Sequence, residues 1–160
     1  MIKRHSLQLR LQRAIVCTGL FGAISATAAT LPSASPRDAR QVDSEQVDAA
    51  VKTWAQSWDR GDVSQYLGQY ADNFVPAGGL TRAQWEQQRR QRLKTSAIRH
   101  VMLSNVQVAI NSDTARAQFT QHYLDMDLMS TARKRLTLVK QGGNWKIREE
   151  QIEAERIVRR

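Results

Sequence analysis

The chain has 160 residues, of which 24 are lysine or arginine and 15 are aspartate or glutamate, so its formal net charge is +9. This length accounts for one domain with a single modest core. Residues 1–28 carry four of the basic residues and none of the acidic ones, which leaves 20 against 15, or +5, for the rest. The aromatic residues are not interleaved with lysine and arginine, so we expect anionic cell-envelope partners and no nucleic acid.

The first 28 residues have the profile of a cleavable signal peptide. Basic residues precede an uncharged stretch from Ala14 to Leu31, whose apolar part is shorter than the ~20 residues of a membrane-spanning helix. A small-x-small cleavage site follows at Ala26-Thr27-Ala28. We therefore expect a periplasmic protein with no stable membrane anchor after cleavage; an uncleaved N-terminal anchor is the alternative. Cleavage would also remove Cys17, the single cysteine, and with it any disulfide, thiol nucleophile or thiolate metal site.

Residues 29–41 are rich in proline, serine and alanine, which predicts a flexible leader before a domain over residues 42–160. Asp43 and Gln46 have the spacing of a capping box. Apolar residues then recur at intervals of four, three and four, which predicts an amphipathic helix with an aromatic inner face: Val47, Val51, Trp54 and Trp58. Gly61 is placed to end that helix with a left-handed cap.

Two further helices are predicted. One begins at Asp62 and carries Tyr66, Leu67 and Tyr70 inward. After a loop over Phe74–Leu80, the other runs from Thr81 to about Lys94. This last helix is rich in arginine, which predicts either a cationic patch for an anionic partner or an ordinary solvated face: Arg82, Arg89, Arg90 and Arg92.

Beyond Ser96 the hydrophobic period changes to two, which predicts strands. The four predicted strands run from Ile98 to Ile110, from Thr114 to Leu128, from Lys134 to Gln141 and from Asn144 to about Ile152. The predicted fold class is α+β, with N-terminal helices packed on a strongly curved antiparallel four-strand sheet. Such a sheet forms a cone whose open mouth suits a small ligand.

The pattern resembles the nuclear transport factor 2-like superfamily, and within it the accessory domain appended to periplasmic L,D-transpeptidases and L,D-carboxypeptidases. The residues that carry the resemblance are Trp54-x-x-x-Trp58, Phe74-Val75-Pro76-Ala77-Gly78-Gly79-Leu80 followed by Trp85-Glu86-x-x-Arg89, Phe119-Thr120-Gln121-x-Tyr123, and Trp145-x-Ile147-x-x-Glu150. In those enzymes a separate domain with its own cysteine and histidine performs the chemistry. The resemblance therefore implies a stand-alone binding or accessory domain in peptidoglycan processing, more than an enzyme.

Strand parity selects the residues expected to line the pocket. Gln121 and Tyr123 share the face of Phe119, whereas His122 is expected to point away. Glu149, two residues beyond Ile147, is the strongest ionisable candidate, either as a base or paired with an arginine on the next strand. The full predicted pocket is Trp54, Trp58, Tyr70, Gln121, Tyr123, Arg135 and Glu149.

The sequence is compatible with three functions. The first is a binding module for a small molecule, a cell-wall fragment or a periplasmic partner protein. The second is an isomerase or dehydratase with Glu149 as general base. The third is a homodimer that buries the outward residues Thr120, His122 and Leu124.

No cofactor or metal is expected. The chain has no phosphate loop, nucleophile elbow or dinucleotide fingerprint. His100 and His122 lie on different predicted strands without a second ligand motif, and Asp125 and Asp127 are expected to solvate a strand edge.

Overall fold

The computed structural model describes residues 35–95 and 99–159, so the predicted signal peptide lies outside the described residues. Three α-helices, one short 3-10 helix and five strands follow one another: α1 Pro36–Arg60, α2 Val63–Leu67, β1 Tyr70–Val75, the 3-10 helix Ala77–Gly79, α3 Arg82–Thr95, β2 Arg99–Asn111, β3 Thr114–Asp125, β4 Leu128–Gln141 and β5 Asn144–Arg159. Within these described ranges no helix is long and apolar enough to span a membrane.

Helix α1 begins eight residues before the predicted start, with its cap at Ser35 and not at Asp43. Ser35 caps it by accepting a hydrogen bond from the backbone N–H of Asp38, whose carboxylate accepts one from the Ser35 N–H in return. Pro36 occupies the first helical turn, where its missing N–H costs nothing. The prediction of a leader through residue 41 is therefore wrong for residues 36–41, and Asp43 forms an ion pair with Lys140, 2.6 Å away, instead of capping a helix.

The corner between α1 and α2 is confirmed. Gly61 ends α1 with φ 68°, a left-handed conformation that a side chain would strain. Asp62 then caps α2 by accepting a hydrogen bond from the Gln65 N–H at 2.9 Å. Helix α2 stops at Leu67, so Tyr70 belongs to a strand and not to the predicted helix.

The sheet has five strands, and the prediction of four is wrong. Strand β1 pairs with β5 in parallel, Tyr70 opposite Ile147 and Val75 opposite Glu149, giving the order β1-β5-β4-β3-β2. Strand β1 is not apparent from the sequence, because the strand is short, its pairing is irregular and its partner strand lies more than seventy residues away. The other four strands form the predicted antiparallel meander in a curved, open sheet.

Two β-bulges interrupt the ladder between β4 and β5. Leu138 faces Ile147 while Thr137 faces Glu149, so Arg148 is an extra residue; in the same way Glu153 is extra between Ile152 and Ala154. A bulge reverses the alternation of side chains beyond it. Glu150 therefore lies opposite the fully buried Leu136 on the inner face of the sheet.

The core lies between this inner face and the helices. Helix α1 contributes its predicted aromatic stripe, and Trp54 is completely buried. Helix α3 buries only Trp85 and Leu93, as its arginine-rich composition predicts. The helices thus cover one end of the sheet tightly and leave charged side chains of α3 beside β4 and β5.

Candidate functional site

A buried ion pair stands at the centre of the inner face. Lys134 of β4 and Glu150 of β5 have side chains only 5% and 8% exposed, and the Lys134 Nζ donates to Glu150 Oε1 at 2.6 Å. The hydroxyl of Tyr70 donates to the other carboxylate oxygen at 2.9 Å. A buried charge is tolerated only when it is paired and hydrogen-bonded, and both oxygens of Glu150 meet that condition.

Tyr70 connects this pair to the helices. Its oxygen accepts a hydrogen bond from Trp54 Nε1 at 2.8 Å and lies 2.7 Å from the hydroxyl of Tyr66. The ammonium of Lys134 lies 5.4 Å from the ring centre of Trp54. One continuous polar network inside an aromatic core therefore joins α1 and α2 to strands β1, β4 and β5.

Electrostatics fix the protonation of the network. Burial by itself would raise the pKa of Glu150, but the positive charges of Lys134 and Arg89, with the hydrogen bonds from Lys134 and Tyr70, hold that pKa below its usual value. Burial and the neighbouring Glu150 charge raise the pKa of Tyr70 and of Tyr66 well above that of a free phenol. At neutral pH the site therefore contains a carboxylate and two neutral phenols.

The prediction that Glu149 faces the pocket is wrong. Its side chain is 40% exposed and lies 3.6 Å from Nε of Arg148. The bulge at Arg148 moves the inward position from residue 149 to residue 150, so the alternation of side chains counted from Ile147 does not continue past it. Sequence reasoning also missed Lys134, although the i+2 series Ala132, Lys134, Leu136 places a lysine among inward apolar residues.

A cleft of about 840 Å³ opens above this network, between α3 with the 3-10 helix on one side and β4 with β5 on the other. Its apolar lining comes from Phe74, Ala77, Leu80, Trp85 and Ile152, and its polar lining from Gln88, Arg89, Arg133, Arg135, Glu150, Gln151 and Glu153. Three guanidinium groups thus face two carboxylates. An apolar wall with a few convergent polar groups is typical of small-molecule sites.

Most of the predicted pocket forms the core rather than the cleft. Five of the seven predicted residues are at most 4% exposed and do not line the 840 Å³ cleft: Trp54, Trp58, Tyr70, Gln121 and Tyr123. The inward orientation predicted for Gln121 and Tyr123 is confirmed, and Oε1 of Gln121 has no hydrogen-bond partner among the described residues. Arg135 does line the cleft, but its ion pair is with Glu153, the extra residue of the second bulge.

The predicted cationic patch on α3 is divided between two environments. Arg82 and Arg90 lie on either side of Glu86, with contacts of 2.8 Å and 3.5 Å. Arg89 and Arg92 turn toward the aromatic core, where the Cζ of Arg92 lies 5.5 Å from the ring centre of Tyr123. Only Arg89 of the four lines the large cleft.

A smaller cleft of about 530 Å³ is lined by α1, the start of β2, the end of β3 and the start of β4, and it includes His100, His122 and the predicted pocket residue Tyr123. His122 points away from the core, as predicted, and lies 3.1 Å from the Ser104 hydroxyl. Asp125 accepts hydrogen bonds from Tyr123 Oη at 2.7 Å and from the N–H groups of the turn that follows, so it organises that turn. Within the described residues, no group of three or more His, Cys, Asp or Glu side chains could hold a metal ion.

The family model of the Cds6 C-terminal NTF2-like domain matches residues 46–151. The chain belongs to this NTF2-like family. The predicted resemblance to the nuclear transport factor 2-like superfamily is confirmed, while the link to the accessory domain of L,D-transpeptidases stays a prediction. No curated protein matches the chain by sequence.

Solved structures share the fold of this NTF2-like chain. Bd1075 of Bdellovibrio bacteriovorus is 23% identical with a TM-score of 0.64, over 75% of this chain and 42% of that one. A candidate scytalone dehydratase of Novosphingobium aromaticivorans is 14% identical with a TM-score of 0.64, over 75% and 90%. A variant of the helical cell shape determining protein Pgp2 of Campylobacter jejuni is 18% identical with a TM-score of 0.60, over 66% and 39%. The chain therefore spans less than half the length of the Bdellovibrio and Campylobacter proteins.

Proposed function

We propose that this NTF2-like chain is an exported binding module of the cell envelope, which holds a peptidoglycan fragment in the cleft between α3 and β5. The observation that carries the proposal is the cleft itself. It has the volume of a small-molecule site, and its floor is a buried polar network whose members are already paired. A rigid floor under an open, partly apolar cleft favours recognition of a ligand.

The state of Glu150 favours binding over catalysis. A general base needs a free lone pair directed at the substrate and a pKa near the working pH. Each oxygen of Glu150 already accepts a hydrogen bond, from Lys134 or from Tyr70, and the pKa of Glu150 is lowered, so the carboxylate is held by protein donors and is a weak base. Proton abstraction would neutralise Glu150 and leave the buried ammonium of Lys134 without its counter-ion, which makes this step unfavourable.

Three observations support an envelope ligand. Residues 1–28 have the profile of an export signal, and the remaining chain is moderately basic. The fold is shared with a protein that determines helical cell shape in Campylobacter jejuni. The sequence resemblance to accessory domains of peptidoglycan-trimming enzymes points in the same direction.

Calorimetric titration with soluble muropeptides tests the proposal, using protein purified after expression of the full chain. We expect saturable binding that Ile152→Glu weakens by about tenfold or more, because Ile152 is an exposed part of the cleft wall. Ile157→Glu is the matched control, since Ile157 lies on the same strand with similar exposure outside the cleft. Absence of binding, or equal loss in both variants, would refute the proposal; recovery of the protein in the cytoplasmic fraction would refute export.

An enzyme of the isomerase or dehydratase type is the second candidate, supported by the contact between Tyr70 and Glu150 and by the fold shared with the Novosphingobium protein. Glu150, and not Glu149, would then be the base. Deuterium exchange at the α-carbon of hydroxyketone substrates, catalysed by wild type and abolished in Glu150→Gln, would establish this activity. If both proteins are equally inactive, the binding function is the one retained.

A further inference from the structure

Arg89 is an arginine of the cleft with no ion-pair contact among the described residues. It belongs to α3 and lines the cleft, yet it forms no ion pair and donates no hydrogen bond to a described residue. Its Nε is buried without a partner. A guanidinium carries its charge at every physiological pH, and this one has a buried N–H donor that lacks an acceptor.

The carboxylates of the cleft do not meet that demand. Glu150 lies within the electrostatic reach of Arg89, but its two oxygens accept from Lys134 and Tyr70. Glu153 forms ion pairs with Arg133 and Arg135 on β4. Counting Lys134 with the three arginines, four cations surround two anions, so the cleft has an excess of positive charge.

Packing fixes the position of Arg89. Its Cζ lies 5.8 Å from the ring centre of Trp58 and 5.6 Å from that of Trp85. Contact with two rings limits the rotamers of an otherwise flexible side chain, so less entropy is lost when a ligand binds. A planar guanidinium held in this way suits a carboxylate, which it can bind through two parallel hydrogen bonds.

We propose that Arg89 is the anchoring residue for a free carboxylate of the ligand. The ligand class is a carboxylate-bearing fragment whose apolar part packs on the Trp85 and Ile152 walls of the cleft. This assignment rests on the proposed function only for the source of the carboxylate, which would be the peptide part of a peptidoglycan fragment. The geometry at Arg89 is independent of that source.

The experiment compares one set of muropeptides before and after their carboxylates are converted to methylamides. For wild type, we expect amidation to weaken calorimetric binding by about tenfold or more, the size of a charge-assisted contact. Arg89→Gln should bind both forms equally weakly. Arg90→Gln is the matched control, because Arg90 is the next residue of α3, lies at Glu86 and does not line the cleft, so it should keep the wild-type preference.

A second variant covers the case in which Arg89→Gln fails to fold. Gln88 lines the same cleft, and Gln88→Glu would place a competing carboxylate near Arg89 without removing it. We expect this variant to lose the preference for the free carboxylate. A preference that survives in Gln88→Glu and in folded Arg89→Gln, or a change of less than twofold on amidation of the ligand, overturns the assignment.

Acetate and inorganic phosphate separate this inference from the proposed function. If muropeptides bind with no preference for the free carboxylate, the assignment of Arg89 is refuted and the binding function is supported. If acetate protects the protein against thermal unfolding through Arg89 while muropeptides do not bind, the carboxylate site stands and the peptidoglycan ligand falls. Binding of phosphate in place of acetate overturns the carboxylate class.

Discussion

Replacing Lys134 by methionine tests the buried ion pair directly. The substitution keeps the volume and the apolar stem but removes the ammonium that lies 2.6 Å from Glu150. The side chains of the pair are 5% and 8% exposed, so water cannot replace the lost cation. Removing one partner of a buried pair typically costs about 3–5 kcal/mol, and we expect Lys134→Met to lower the free energy of unfolding at pH 7 by that amount.

The cost should depend on pH with a defined sign. In wild type the pKa of Glu150 is lowered, so the pair contributes stability above the unfolded-state pKa and loses it as the pH falls through the folded-state pKa. Without Lys134 the desolvation of the carboxylate is less opposed, and its pKa rises. The stability gap between wild type and Lys134→Met should therefore be widest near pH 7 and narrow toward pH 4.

Urea denaturation at several pH values measures both effects. The double variant Lys134→Met/Glu150→Gln, which leaves no unpaired charge, should cost less than the single variant. Lys52→Met is the control, since its ion pair with Asp48 is also 2.6 Å long but the lysine is 62% exposed, and it should change stability by less than about 0.5 kcal/mol. Three results would refute the reasoning. Lys134→Met could lower the free energy of unfolding by less than about 1 kcal/mol, the double variant could lower it by as much as the single one, or the difference between wild type and Lys134→Met could be independent of pH.

Further predictions concern neighbouring groups. Glu149→Ala should change the urea-derived stability by less than about 0.5 kcal/mol, because its side chain is 40% exposed, whereas Glu150→Ala should cost several times more. Tyr70→Phe should cost about 1–3 kcal/mol, since it removes the acceptor of Trp54 and the donor to Glu150; a cost near zero would contradict the network. Ultraviolet titration should show Tyr66 and Tyr70 remaining protonated above pH 10 until the protein unfolds, and stability should fall there as unfolded tyrosines ionise. Ser35→Ala should speed amide hydrogen exchange in the first turn of α1 and leave β4 unchanged.

Local rules predicted the elements whose signals lie within a few residues. The left-handed cap at Gly61 and the Asp62 cap of α2 depend on backbone conformations that neighbouring residues specify. The true start of α1 was also present in the sequence, as a serine followed by proline and, three residues on, by aspartate. The apolar period begins next to Asp43, and this favours Asp43 over Ser35 as the predicted cap.

The remaining errors arise from long-range pairing. Nothing local marks β1 as a strand, since the strand it pairs with is β5, far along the chain. The bulge at Arg148 is equally invisible, because a register shift depends on both strands of a ladder. A single undetected extra residue was enough to select Glu149 in place of Glu150. Most of the predicted pocket residues belong to the core for a related reason. Helix α1 packs against the inner face of the sheet, where the sequence predicts an open pocket, and this contact is also long-range.

The two bulges of β5 connect the fold to the proposed site. The first turns Glu150 inward, where it meets Lys134, and the second makes Glu153 an extra residue that pairs with Arg133 and Arg135. Each carboxylate thereby forms its direct ion pairs with cations of β4, and Arg89 on the opposite wall forms none with either of them. In a regular ladder Glu149 would take the inward position, and Glu150 would not reach Lys134. Sheet register therefore decides which glutamate meets Lys134 and where Glu153 lies, so the carboxylates that form ion pairs with β4 rather than with Arg89 are positioned by the backbone as well as by their own side chains.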